Sequence, residues 1–87
     1  MKIVISGIGE MGSHLARMLS GNGHDITVID SDNKALNELG NLADLITVEG
    51  DTTTFAVLRK AGVRRCDLFI AVNHDENMNI LSAIMAK

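Results

Sequence analysis

Three glycines near the start of the chain, Gly7, Gly9 and Gly12, stand in G-x-G-x-x-G spacing within GIGEMG, and a carboxylate, Asp30, follows eighteen residues after Gly12. The chemistry this spacing allows is recognition of a dinucleotide. Glycine at the first position permits a tight turn, at the second lets a pyrophosphate reach bare backbone, and at the third lets a helix pack closely on its strand. The anionic charge would rest on the free N–H groups of the helix's first turn, at the positive end of its dipole, with no cationic side chain required. Ile8, Glu10 and Met11 fill the same turn. Glu10 would repel a γ-phosphate unless it turns outward, which weighs against ATP. Asp30, with Ser31 beside it, would face a ribose: the carboxylate accepts two hydroxyl hydrogens and repels a 2′-phosphate, favouring NAD(H) over NADP(H). A strand-end carboxylate or a helix cap is the other role open to Asp30.

Further along, Asp51 and Thr52 follow a third apolar run and could border an adenine, cap the next helix, or do both. Asn73 and His74 follow a fourth run, at the switch point where open sheets bind ligands; a histidine in such a loop is also commonly a solvated residue. Nothing completes a catalytic set. There is no tyrosine for a Tyr-Lys reductase pair, and His14 and His24 have no evident partner. The single cysteine, Cys66, permits neither an internal disulfide nor a cysteine-based zinc site, and reads as a small half-buried residue. No catalytic residue and no metal ligand is assigned.

These residues need a particular scaffold. Lys2 to Ser6 is a short β-rich run ended by Gly7, and Glu10 to Leu19 carries Met11, Leu15, Met18 and Leu19 at the spacing of one helical face. Asp25 to Asp30 (DITVID) is a second strand. Ser31 or Asp32 could cap a helix burying Ala35, Leu36 and Leu39, with Gly40 and Asn41 as its stop. Leu45 to Val48 is a third strand, leading into a helix bearing Phe55, Leu58 and Ala61 and stopped by Gly62. Asp67 to Val72 is a fourth, and a last helix would place Met78, Leu81, Ile84 and Met85 inward, the methionines reading as packing. Strands alternating with helices predict an α/β fold, an open parallel sheet of Rossmann type with helices on both faces and strand order 3-2-1-4, cut off after the fourth strand and its helix. All 87 residues form one unit, with no linker or repeat to divide them.

The chain is 46% hydrophobic and 22% charged, with a formal net charge of −3, which fits a folded domain and argues against a nucleic-acid module needing a basic face. No run approaches the roughly 20 apolar residues of a membrane span, and no leader is expected where Met1 enters a strand directly. The cytoplasm is the expected compartment. A chain this short buries only about 60% of its unfolded surface, so association should contribute to stability.

Taken together, MKIVISGIGEMGSHLARML, HDITVIDSD, VEGDTTTFAVLRKAGVRRCDLFIAV and NHDENMNILSA resemble the RCK or KTN nucleotide-binding domains that regulate potassium transport, and among them the Trk-type members. The likeness runs through nearly the whole chain, and its GD turn, AG-terminated helix and DEN segment are more specific than the glycines. It implies a lobe that binds NAD or NADH, or in relatives ATP, ADP or AMP, and passes its ligand state to an integral-membrane potassium transporter without catalysis. By position, Gly7 to Gly12 would hold the pyrophosphate, Asp30 the adenosine ribose, Asp51 and Thr52 the adenine side, and Asn73 and His74 the far half of the dinucleotide. The resemblance also implies pairing of lobes, hence a homo-oligomer of at least two chains, held at the inner membrane face through its partner. Members of the family continue beyond the fourth strand. Two other readings stay open: the cofactor half of an NAD-dependent oxidoreductase, and an oligomerisation scaffold that binds nothing.

Overall fold

The structure, a computed structural model, describes residues 1–51 and 54–72. Strand and helix alternate as β1 (Lys2–Ser6), α1 (Glu10–Gly21), β2 (Asp25–Asp30), α2 (Asn33–Leu42), β3 (Ile46–Glu49), α3 (Phe55–Lys60) and β4 (Leu68–Ala71), with one 3-10 turn, Val63–Arg65, before β4. The four strands are parallel in the order β3-β2-β1-β4, as the alternation predicted. The helix expected after the fourth strand lies outside the described residues.

The register shows why β1 and β2 are almost continuously apolar. Ile3 pairs with Ile26 and Ile5 with Val28, so these four point to one face, where Leu36 and Leu39 of α2 and Ala16 of α1 complete a core. The alternate residues Val4 and Ile29, with Val48 of β3, point to the other face, where Leu58, Ala61 and Val63 cover them. Strands buried on both faces cannot alternate polar and apolar residues. Helices thus lie on both faces, α1 and α2 on one and α3 on the other.

Several local expectations need correction. The buried stripe of α1 is Gly12 and Ala16, flanked by half-buried Leu15 and Leu19, so Met11 and Met18 lie roughly 90–110° away around the helix and are exposed. Phe55 is likewise displaced from the Leu58–Ala61 stripe and stands exposed at the first position of α3. Among the described residues the methionines are therefore surface side chains, not packing. Gly40 and Asn41 do not stop α2, which runs to Leu42 and ends where Ala43 turns extended. Burial of Leu36 and Leu39 outweighs the cost of about 1 kcal/mol for a glycine in a helix. The third strand starts one residue later than predicted and the fourth is shorter at each end.

Candidate functional site

The glycine motif forms the connection from β1 to α1 at the carboxyl edge of the sheet. Gly7 has φ 107°, in the region that side chains disfavour, and its N–H donates to Ile29 O at 2.9 Å, extending the β1–β2 ladder into the turn. Gly9 is the N-cap of α1, with no side-chain cap. The amides of the first turn have no partner within the helix itself, which is the arrangement an anion uses. Gly12 sits where α1 passes closest to β1: a Cβ there would overlap the Gly7 carbonyl oxygen and lie 2.9 Å from its carbon. Both glycine roles expected of the motif at its first and third positions are present. The turn is also held from the helix side, where the Ser13 hydroxyl donates to Ile8 O at 2.6 Å and the Ser13 N–H reaches Ile8 O and Gly9 O.

Asp30, half-buried at the end of β2, directs its carboxylate into this turn. Oδ2 accepts the Ile8 N–H at 2.8 Å, and Oδ1 accepts the Asp32 N–H at 2.9 Å. It is not the cap of α2. That role belongs to Asp32, whose side chain accepts the Ala35 N–H at 3.1 Å, while Ser31 is exposed beside it. The Asp30 carbonyl in turn accepts the Gly50 N–H at 3.0 Å, tying in the end of β3. Gly50 has room for no side chain, because a Cβ would come 2.5 Å from Val57 Cγ2.

Of the remaining predicted site residues, Ile8 is buried, Gly9 half-buried, and Glu10 and Met11 exposed in the first turn of α1. Asp51 is exposed beyond β3, and its carbonyl accepts both the N–H and the hydroxyl of Thr54. Thr54, not Asp51, is the N-cap of α3. Thr52, Asn73 and His74 lie outside the described residues. Along the carboxyl edge Glu10, Asp30, Asp32, Glu49 and Asp51 gather negative charge, which opposes a triphosphate more strongly than a bridging pyrophosphate.

The other polar groups singled out in the sequence lie elsewhere. His14 is exposed on α1. His24 and Cys66 border a hollow of about 540 Å³ at the amino edge, the end of the sheet away from the glycine turn. Burial pushes the Cys66 thiol above its ordinary range, and its Sγ donates to Val63 O at 3.0 Å, so it is no activated nucleophile. Among the described residues no group of three or more His, Cys, Asp or Glu could hold a metal ion, and no helix is long and apolar enough to cross a membrane.

Residues 3–87 match the TrkA-N domain family. The chain belongs to that family. A relative from Archaeoglobus fulgidus named "Trk system potassium uptake protein TrkA homolog" is 41% identical over 87 residues, all of this chain and 20% of that protein. The Halomonas elongata protein named "Trk system potassium uptake protein TrkA" is 40% identical over 86 residues, 99% of this chain and 19% of its own. A Pyrococcus abyssi homologue is 36% identical over 87 residues and 38% of its length. The chain thus spans between 19% and 38% of these relatives. Among solved structures, the AMP-bound Kef CTD of Shewanella denitrificans matches with TM-score 0.83 and 20% identity, covering 99% of this chain and 51% of that one. At that identity the match establishes the fold, in agreement with the sheet order.

For this TrkA-N domain, the sequence located the glycine turn and its acid but missed how they join. The carboxylate bond to Ile8 and the Gly50 link connect positions whose relation depends on the strand register, and no local pattern marks them, while the Ser13 bond to Ile8, though local, goes unannounced by any residue pattern. The close packing of Gly50 on Val57 had a faint signal in the GD turn after the third strand.

Proposed function

We propose that this chain is the N-terminal, nucleotide-binding part of a regulatory subunit in a Trk-type potassium-uptake system, and that NAD or NADH seated on its glycine turn sets the state of a membrane potassium transporter. The observation that carries the reading is the turn itself: Gly7 in a left-handed conformation, Gly12 against the Gly7 carbonyl, and the Asp30 carboxylate within the same group of strand ends. Gly9 and the first turn of α1 would receive the pyrophosphate, with Ile8, Glu10, Met11 and Gly12 framing it. Asp30, with Ser31 beside it, would take the ribose hydroxyls through the acceptor capacity each carboxylate oxygen retains after one backbone bond. Asp51 and Thr52 would border the adenine, and Asn73 and His74 the nicotinamide half.

The relatives' names support the potassium-uptake assignment, and with it a cytoplasmic subunit that reaches the membrane through its transporter; that it works as a homo-oligomer is part of the proposal. Regulation needs no turnover, only a ligand that binds one conformation better than another. The reading without catalysis is favoured over an oxidoreductase half by the relatives' names, which are those of potassium-uptake proteins. Because the Kef CTD of the same fold is AMP-bound, adenine mononucleotides belong in the test. Calorimetric titration with NADH, NAD, ATP and AMP at matched salt should give saturable binding with NAD or NADH ahead of ATP. Binding of none of them would overturn the proposal.

A further inference from the structure

We infer that Asp30 is a positioning residue for the glycine turn, acting before and independently of any contact it makes with a ribose. Three segments meet at this one residue. Its Oδ2 receives the Ile8 N–H, its Oδ1 the Asp32 N–H, and its carbonyl oxygen the Gly50 N–H, at 2.8, 2.9 and 3.0 Å. It therefore joins the turn after β1, the start of α2 and the turn after β3. The Ile8 bond matters most. Ile8 lies past the end of β1, beyond the last ladder bonds on either side, Gly7 N–H to Ile29 O and Val72 N–H to Ser6 O, so its buried N–H has no strand partner. The carboxylate supplies one from twenty-two residues away, and an unsatisfied buried donor would otherwise carry its full desolvation penalty.

Fixing the Ile8 N–H fixes the plane of the Gly7–Ile8 peptide and narrows the range open to Gly7, while the Ser13 bond to the Ile8 carbonyl fixes the Ile8–Gly9 plane and narrows that of Gly9, where glycine leaves the backbone most free. Ser13 holds the same residue by its carbonyl, at 2.6 Å, so Ile8 is tethered at both polar groups. The amides that follow, at the start of α1, are thereby presented in one arrangement, which lowers the cost of ordering them around an anion. The tether stands on the geometry above; its effect on a ligand rests on the nucleotide reading.

The test compares Asp30→Asn with Asp30→Ala, which carry equal charge. Asparagine keeps one carboxamide oxygen, which can serve the buried Ile8 N–H in preference to the exposed Asp32 N–H, whereas alanine serves neither. Without added nucleotide, hydrogen exchange at the Ile8 amide should be about tenfold or more faster in Asp30→Ala than in Asp30→Asn, after normalising to the Val28 amide of β2 to remove any global loss of stability. With nucleotide, 2′,3′-dideoxy-ADP, which has no ribose hydroxyl for Asp30 to hold, should bind Asp30→Ala about tenfold more weakly than Asp30→Asn. Equal normalised exchange in the two variants overturns the tether. Unequal exchange with equal dideoxy-ADP affinity overturns its effect on the cradle. Wild-type protein that binds none of NADH, NAD, ATP, AMP and ADP overturns the nucleotide reading, one that binds NADH or NAD but not ADP overturns the effect of the tether on an adenine-diphosphate ligand, and in either case the exchange result still decides the tether.

Discussion

Replacing Gly12 by alanine tests the closest approach at any glycine among the described residues. The added methyl would overlap the Gly7 carbonyl oxygen, lie 2.9 Å from the Gly7 carbon and 3.3 Å from Val72 Cγ2. Val72 Cγ2 can yield, but a backbone carbonyl has no rotamer into which to retreat. Either α1 slides off β1 or the turn changes shape, and the penalty falls at or above the upper end of overpacking costs, about 3 kcal/mol. Alanine recovers about 1 kcal/mol of helix propensity, leaving a net loss of about 2 kcal/mol or more. A domain of this size holds about 4–13 kcal/mol in all, and the midpoint of thermal unfolding should fall by roughly 8–16 °C. Gly21→Ala is the matched control: it lies in the same helix with nothing within 4 Å of the new Cβ, and should be neutral or stabilising. Urea denaturation followed by circular dichroism gives both values. A Gly12→Ala loss below about 1 kcal/mol, or one equal to that of Gly21→Ala, would refute the argument from contact.

The exposure pattern makes opposite forecasts for two large apolar residues: Leu36→Ala should cost about 2–5 kcal/mol, whereas Phe55→Ala, at a side chain 64% exposed, should change stability by no more than about 0.5 kcal/mol in the same denaturation assay. Asp32→Ala removes the α2 cap and should cost about 1 kcal/mol, with Ser31→Ala near zero; the reverse order would move the cap to Ser31. Because burial raises the Cys66 value in the folded chain, the fold favours the thiol. That contribution is whole below the unfolded value and is lost as pH rises through the folded one, so wild-type stability should decline relative to Cys66→Ala from about pH 8.5 upward. A difference independent of pH across that range would show Cys66 titrating no differently in the two states.

The parts of the fold that sequence reveals are those set by neighbours along the chain. DITVID is a strand from Asp25 to Asp30 as its composition predicts, and Gly7 and Gly12 are needed by local sterics within one turn. Strand order follows from alternation and crossover handedness. What escaped depends on where the sheet lies relative to each helix. Met11, Leu15 and Met18 make as good a helical stripe on paper as Gly12, Leu15, Ala16 and Leu19, and only the close approach at Gly12 selects the second. Gly40 looks like a stop until α2 is seen packing on β2 and β3, where a Cβ on Gly40 would meet only Thr47 Cγ2 at 3.9 Å. In the site, Asp30 was legible as an acid at a strand end. Its grip on Ile8 was not, because the two lie side by side only through the pairing of Ser6 with Ile29.

β1 has a strand on each side, and the glycine turn grows directly from its end. Binding loops are ordinarily drawn from the least stable parts of a protein, but this turn is rooted in the middle of the sheet and braced by Asp30 and Ser13. A molecule settling there meets an anvil, not a hinge. On the nucleotide reading proposed above, any movement a ligand provoked would begin at its far contacts, where it would reach past the turn to the rim of the sheet. The length of the ligand, more than the strength of its grip on the glycines, would decide whether a signal is sent.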